Sequence, residues 1–324
     1  GLESCRHAAR PGNRAQGDIS GGATLQVGAA DGAAAGLTLQ SGTQSFGAAT
    51  VQSNAAFTVN SRLEAAALVN AGTLGGGGTI VGGVLNGGVV APGNSPGVLT
   101  VSGSVENLST ATLRVEIDGP SAGTGDGYHD QLAVTGSPGT FIAGGVIEPV
   151  LRGFAEADAS PYTPVLGQKF AVVTASGGVS GGFSSLTQPA SGLASGTRFD
   201  VAYGSNAVYL ATTPTSYAAL GGLTANQRAV AAAFDSARPA AGVLTGGDVD
   251  TLYNAFYLME PAAAGAALDQ LSGVVHAEAL AATAGTARLF GEALGARAAA
   301  VRRGGLALAA RPLTSFAVAN GAAA

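Results

Sequence analysis

The sequence predicts a mainly β protein: a right-handed parallel β-helix (solenoid) capped by antiparallel strands and followed by an α-helical linker. Three observations predict it. Residues 23–107 carry short β-branched or apolar pieces separated by glycine and asparagine, residues 108–213 carry longer runs of alternating character, and after Ser216 the apolar spacing changes to three and four residues. Residues 1–22 and 304–324 match neither pattern and stay unassigned, the first stretch being expected to lack order.

The pieces 24–27, 37–40, 57–59, 79–81, 84–85, 89–90 and 98–101 are too short for a conventional sandwich. They recur with related phrases, Thr24-Leu25-Gln26 echoed by Thr38-Leu39-Gln40 and Gly82-Gly83 by Gly87-Gly88. A single short rung cannot bury its inward face, whereas stacked rungs let Val, Ile and Leu at equivalent positions cover one another. The 52 glycines then serve corners, where some residues need a positive φ.

From residue 108 the strands lengthen. Over 112–117, Leu113, Val115 and Ile117 share one face while Arg114 and Glu116 share the other, so one face is wet. Runs at 131–134, 145–151 and 169–173 read similarly. The pieces 198–203 and 207–211 flank Gly204-Ser205-Asn206, a short hairpin loop. Such a hairpin is expected to cover the open strand edge that ends a stack, with Phe170, Phe183, Phe199, Tyr203 and Tyr209 supplying bulk.

Residues 214–273 read as short helices. Thr224 and Gln227 form a capping box ahead of Val230 and Phe234, and Pro239 is a stop. Asp248 is the expected cap of a second helix carrying Leu252, Phe256 and Met259, and Pro261 opens a third with Leu268 and Leu271, broken by Gly273. Residues 274–303 place Leu280, Thr283, Ala287, Phe290, Leu294, Arg297 and Val301 at alternating steps of three and four. That is a thin rod of roughly 45 Å, too weakly apolar to face lipid and suited to a narrow lumen. Arg297, Arg302 and Arg303 are expected to line such a lumen or to favour the helix C-terminal dipole.

Fifteen basic and 20 acidic residues, with no stripe in which arginines and aromatics interleave, argue against nucleic acid as a partner. The single Cys5 excludes an intrachain disulfide framework and is compatible with export. The chain starts at Gly1 without a leader pattern, as expected of a fragment. The polar cluster worth testing is Asp126, His129 and Asp130 in a glycine-rich loop. Its spacing fits no zinc pattern and only one imperfect copy of a calcium nonapeptide, so a solvated turn is the expectation. His276 has no nucleophile or carboxylate constellation beside it, and Gly123-Thr124-Gly125-Asp126-Gly127 lacks the Gly-Lys-Ser/Thr of a phosphate loop. No catalytic, cofactor-binding or metal-ligating residue is assigned, and the chain is not expected to be an enzyme.

The stretch Gly75-Gly76-Gly77-Gly78-Thr79-Ile80 through Val89-Val90-Ala91-Pro92-Gly93-Asn94-Ser95-Pro96-Gly97-Val98-Leu99-Thr100-Val101 strongly resembles the passenger-associated transport repeat of bacterial autotransporters. Thr112-Leu113-Arg114-Val115-Glu116-Ile117, His129-Asp130-Gln131-Leu132-Ala133-Val134-Thr135-Gly136, and 170–183 resemble its following strands. Thr224-Ala225-Asn226-Gln227-Arg228-Ala229-Val230-Ala231 and Ala267-Leu268-Asp269-Gln270-Leu271-Ser272-Gly273-Val274-Val275-His276-Ala277 resemble the phrase that precedes the translocator, with Val274 where relatives often carry glutamate. The likeness covers about 70–300, several motifs in order.

The resemblance implies a type V, pertactin-like secreted protein of a Gram-negative bacterium, at the outer membrane and cell surface or released. It implies β-helix rungs over 23–107, an autochaperone-like cap over 108–213, short helices over 214–273 and a pre-barrel helix over 274–303. The implied partners are the protein's own outer-membrane β-barrel, which is expected outside these residues, the barrel-assembly machinery, periplasmic chaperones and a host surface ligand. Some relatives cut their pre-barrel helix beside asparagine, and 274–303 contains none. The alternatives are an adhesin and a β-helical polysaccharide-acting enzyme. The latter needs a charged cleft, and 23–107 offers only Asp31, Arg62, Glu64 and Glu106.

Overall fold

The computed structural model describes residues 13–15, 17–28, 34–151 and 162–302. The chain divides into two units, Gly1–Leu268 and Asp269–Ala324. Among the described residues of the first unit, the chain passes back and forth between a ten-stranded and a fourteen-stranded sheet, often with two consecutive strands in the same sheet, and the strand pairs are largely parallel. The fold is mainly β, with long parallel sheets and a C-terminal helix, an arrangement consistent with a β-solenoid-like fold.

Parallel register sets like beside like. In one sheet Leu37, Phe57, Leu74, Val90, Leu113 and Ile147 stand in a single row; in the other Leu63, Ile80, Val101, Val134 and Ala175 do. The two-residue period turns these rows inward, and in the strand Thr112–Ile117 it buries Leu113, Val115 and Ile117 while Arg114 is exposed. One continuous apolar core results, running from Leu25 to Leu210.

Two departures from simple stacking matter. The pieces expected at 79–81 and 84–85 are one strand, Thr79–Asn86, whose pairing with Arg62–Asn70 shifts register between Val81 and Gly83. Gly82 lies in that shift with φ +129°, a conformation that L side chains rarely adopt. Secondly, asparagines read as turn markers also build an interior seam. Asn70, Asn86 and Asn107 are buried in register at three strand ends, Asn70 Nδ2 donating to Asn86 Oδ1 at 2.8 Å and Asn86 Nδ2 to Asn107 Oδ1 at 3.0 Å.

The fourteen-stranded sheet ends in antiparallel strands. Lys169–Ala175 pairs with Ala207–Pro214, which pairs with Thr197–Tyr203. Phe199, Val201, Val208 and Leu210 join the stack's core with Phe170 and Phe183. Tyr209, expected among that bulk, faces the other way: with Ala202 and Ala211 it packs on a second cluster of Tyr217, Phe234, Tyr253, Phe256 and Tyr257. Period-two alternation within one hairpin therefore serves two cores.

The second cluster is made by helices. Ala225–Ala237 starts at the Thr224 capping box, with Gln227 N–H on Thr224 Oγ1 at 3.2 Å and Thr224 N–H on Gln227 Oε1 at 2.8 Å. The helix Asp248–Leu258 corrects an expectation. Its N-cap is Gly247 without a side-chain bond, and Asp250, not Asp248, satisfies the entry by accepting from Thr245 N–H and Gly246 N–H, both at 2.8 Å. Asp248 instead occupies the first helical position. A 3-10 turn, Pro261–Ala263, then leads into Ala264–Leu271.

In the second unit the helix Val274–Arg302 spans 29 residues and exposes Leu289, Phe290, Leu294 and Val301. Arg302 closes its last turn; Arg303, the tail 304–324, Cys5 and the His276 side chain lie outside the described residues. No helix among the described residues is long and apolar enough to cross a membrane.

Candidate functional site

The structure separates the expected polar cluster. Asp126 is exposed, whereas His129 and Asp130 are buried, so the solvated-turn expectation fails for two of the three. The reason is the strand pairing: His129 pairs with Ile117 and enters the core beside it. Asp130 Oδ1 accepts the Gly97 N–H at 2.7 Å and its Oδ2 the Glu116 N–H at 2.8 Å. The carboxylate thus ties the 93–97 turn to the strand Thr112–Ile117, which is structural work that satisfies its charge with main-chain donors. Gly127 N–H donates to Asp118 Oδ2 at 2.9 Å, closing the 123–127 loop as a turn. Among the described residues no group of three or more His, Cys, Asp and Glu side chains converges for a metal ion.

The His129 imidazole lies 3.1 Å from the Gly119 carbonyl through Nδ1 and meets Phe170 edge to face, with centroids 5.4 Å apart. Burial holds it below its ordinary range, while the carbonyls of Gly119 and Ala171 oppose that shift. A histidine that stays neutral in the fold takes up its proton on unfolding, so stability is complete above the unfolded value of 6.5 and falls as pH drops below it. Unfolding free energies from urea titrations between pH 7 and pH 5 are expected to decline by up to about 1.4 kcal/mol per pH unit, and His129→Gln to flatten that slope. An unchanged slope in the variant would remove His129 as its source.

A second polar site was not legible in the sequence. Asp200, wholly buried on the strand Thr197–Tyr203, receives Arg198 Nη2 at 2.6 Å on Oδ1 and Arg238 Nη2 on Oδ2. Arg238, at the end of helix Ala225–Ala237, also donates to the Pro214 carbonyl at 2.7 Å and to Thr213 Oγ1 at 2.7 Å. Its guanidinium stands 5.0 Å from the Tyr217 ring centre and 5.3 Å from that of Tyr257. Burial, with the Asp200 charge beside it, pushes the Tyr257 phenol up to about 12, and burial also raises Tyr217. These phenols stay protonated at neutral pH. The site therefore presents a carboxylate saturated by donors and two neutral phenols, a constellation that clamps strands to a helix. The only available signal was Arg198 and Asp200 on one face of an alternating strand, which does not reveal Arg238, 38 residues further on.

Two further bonds join the antiparallel strands to the residues that follow them. Lys169 Nζ, from the chain's single lysine, reaches Glu260 Oε1 at 2.6 Å, and Tyr203 Oη donates to the Gly242 carbonyl at 2.6 Å. Comparison with known protein families and with curated proteins finds no match for this chain.

Proposed function

We propose that this chain is the non-catalytic stem and folding segment of an autotransporter passenger, a right-handed parallel β-helix displayed at a bacterial surface through an outer-membrane barrel. The observation that carries the reading is one of adjacency. Segments that bear the resemblance are neighbouring strands of one sheet: Val98–Ser102 pairs with Gln131–Thr135, and that strand pairs with Lys169–Ala175. They lead into the antiparallel hairpin, whose aromatic core gives the stack a finished end.

A mechanism follows from burial. Once the hairpin end forms on the outer side, each added rung buries apolar surface at roughly 25 cal/mol per Å2, which opposes return of the chain. Leu113 and Val115, both wholly buried, lie on a strand that pairs in parallel with Val89–Pro92 and Val146–Leu151. With the chain placed ahead of an outer-membrane barrel, Leu113→Asp or Val115→Asp is expected to reduce surface display severalfold, read by protease accessibility on intact cells. Undiminished display in both variants would refute the proposal.

A further inference from the structure

Of the three seam asparagines, Asn86 alone is followed by glycine; Asn70 precedes Ala71 and Asn107 precedes Leu108. In an Asn-Gly pair the next main-chain nitrogen reaches the side-chain amide with no Cβ to crowd its approach. Here the fold holds every participant away from that reaction. Asn86 is wholly buried, its Oδ1 accepting from Asn70 Nδ2 at 2.8 Å and from Gly88 N–H at 3.1 Å, its Nδ2 donating to Asn107 Oδ1 at 3.0 Å. The attacking nitrogen is occupied as well, since Gly87 N–H donates to the Asn70 carbonyl at 2.8 Å. Packing does not account for Gly87. Its φ is not positive, and a Cβ there would meet Thr110 Oγ1 at 3.4 Å and Leu108 Cδ1 at 3.5 Å, both ordinary contacts, whereas one on Gly88 would stand 2.2 Å from the Gly72 carbonyl oxygen.

We propose that Asn86–Gly87 is a self-modification site, silent in the fold and active in the unfolded chain, that records time spent unfolded. With the seam undone, the Gly87 nitrogen attacks Asn86 Cγ. The new C–N bond closes a succinimide ring, and Nδ2 leaves as ammonia with the proton that Gly87 gives up. Water, the sole co-reactant, then opens the ring at either carbonyl and leaves aspartate or isoaspartate. Neither product fits the seam. Aspartate places a carboxylate in the interior and has no N–H to offer Asn107 Oδ1. Isoaspartate lengthens the main chain by one carbon, so the N–H groups of Gly87 and Gly88, both on the Asn70 carbonyl, fall out of step. The fold thus protects the amide whose loss weakens it, and delay in folding becomes chemically irreversible. This inference does not depend on the proposed surface display.

The test uses the full chain with Asn320→Gln, which removes the other Asn-Gly pair. It is incubated at neutral pH either folded or in urea, and Asn86 is followed by peptide mass mapping. Conversion is expected in urea and is expected to be more than about a hundredfold slower in the fold, where it must pass through opening. The urea sample is then diluted to just below the unfolding midpoint of fresh chain, and a brief protease pulse removes unfolded molecules. Converted Asn86 is expected to be depleted about tenfold from the chain that survives. Equal conversion in the fold and in urea would refute the protection, and an undepleted survivor fraction would refute the consequence; either overturns the proposal. Gly87→Ala is expected to slow conversion in urea severalfold and to preserve the surviving fraction, and a variant that loses it as fast as the parent would also count against the site. The first two outcomes are read with Asn86 and Gly87 intact, so they stand even if Gly87→Ala does not fold.

Discussion

Asp200→Ala is expected to cost about 3–5 kcal/mol of stability at neutral pH, measured as a fall in the urea midpoint at constant m-value. The magnitude comes from what remains. Arg238, whose side chain is 4% exposed, keeps its charge and loses the carboxylate that offsets its desolvation, whereas Arg198 is 26% exposed and can turn towards water. Combining Asp200→Ala with Arg238→Leu is expected to cost less than the sum of the two single changes, because the second removes the charge that the first strands. Strict additivity would show that the pair is not coupled. The clamp joins the hairpin to the end of helix Ala225–Ala237, so loosening of the helical cluster should precede loss of the parallel stack. Tyr217, Tyr253 and Tyr257 all lie in that cluster, and near-ultraviolet circular dichroism follows them.

Gly82→Ala is expected to cost about 2–5 kcal/mol in the same assay, although it adds a single methyl group. At φ +129° a Cβ would stand 1.7 Å from the Ala65 carbonyl oxygen, and neither backbone can yield without disturbing the strands Arg62–Asn70 and Thr79–Asn86. Gly83 is the control. A Cβ there meets nothing nearer than the Ser104 carbonyl oxygen at 3.9 Å, so Gly83→Ala should be close to neutral. Equal losses at the two positions would show that the cost does not come from the bend at Gly82, because the effect of alanine on the unfolded chain is stabilising at both.

The parallel strands, the hairpin and the first helix were legible because each rests on a local pattern: alternation in Thr112–Ile117, the glycine-bearing loop at 204–206, Thr224 with Gln227. What escaped depends on partners far apart in sequence. His129 and Asp130 look like loop residues until the Ile117 pairing draws them inside. Asp248 was the plausible cap by position, yet the turn at 245–247 delivers its N–H groups to Asp250. Arg238 follows a helix and precedes a proline, which suggests a surface residue; only the hairpin's second core makes it a buried one. The direction of Tyr209 was undecidable for the same reason, since alternation states that two faces differ but not that both are covered.

The asparagine seam bears on a difficulty particular to repetitive chains. Where Leu63 and Ile80 occupy equivalent places, an alignment displaced by a whole rung buries nearly the same apolar surface, and hydrophobic packing alone discriminates poorly between the two. Val51 precedes Asn70 in the same row, so displacement that sets Asn86 against a valine would break the bonds Asn86 makes on its two sides, at about 1–3 kcal/mol for each buried group left unpaired. Three amides thereby act as an index mark that singles out one register among otherwise similar parallel strands.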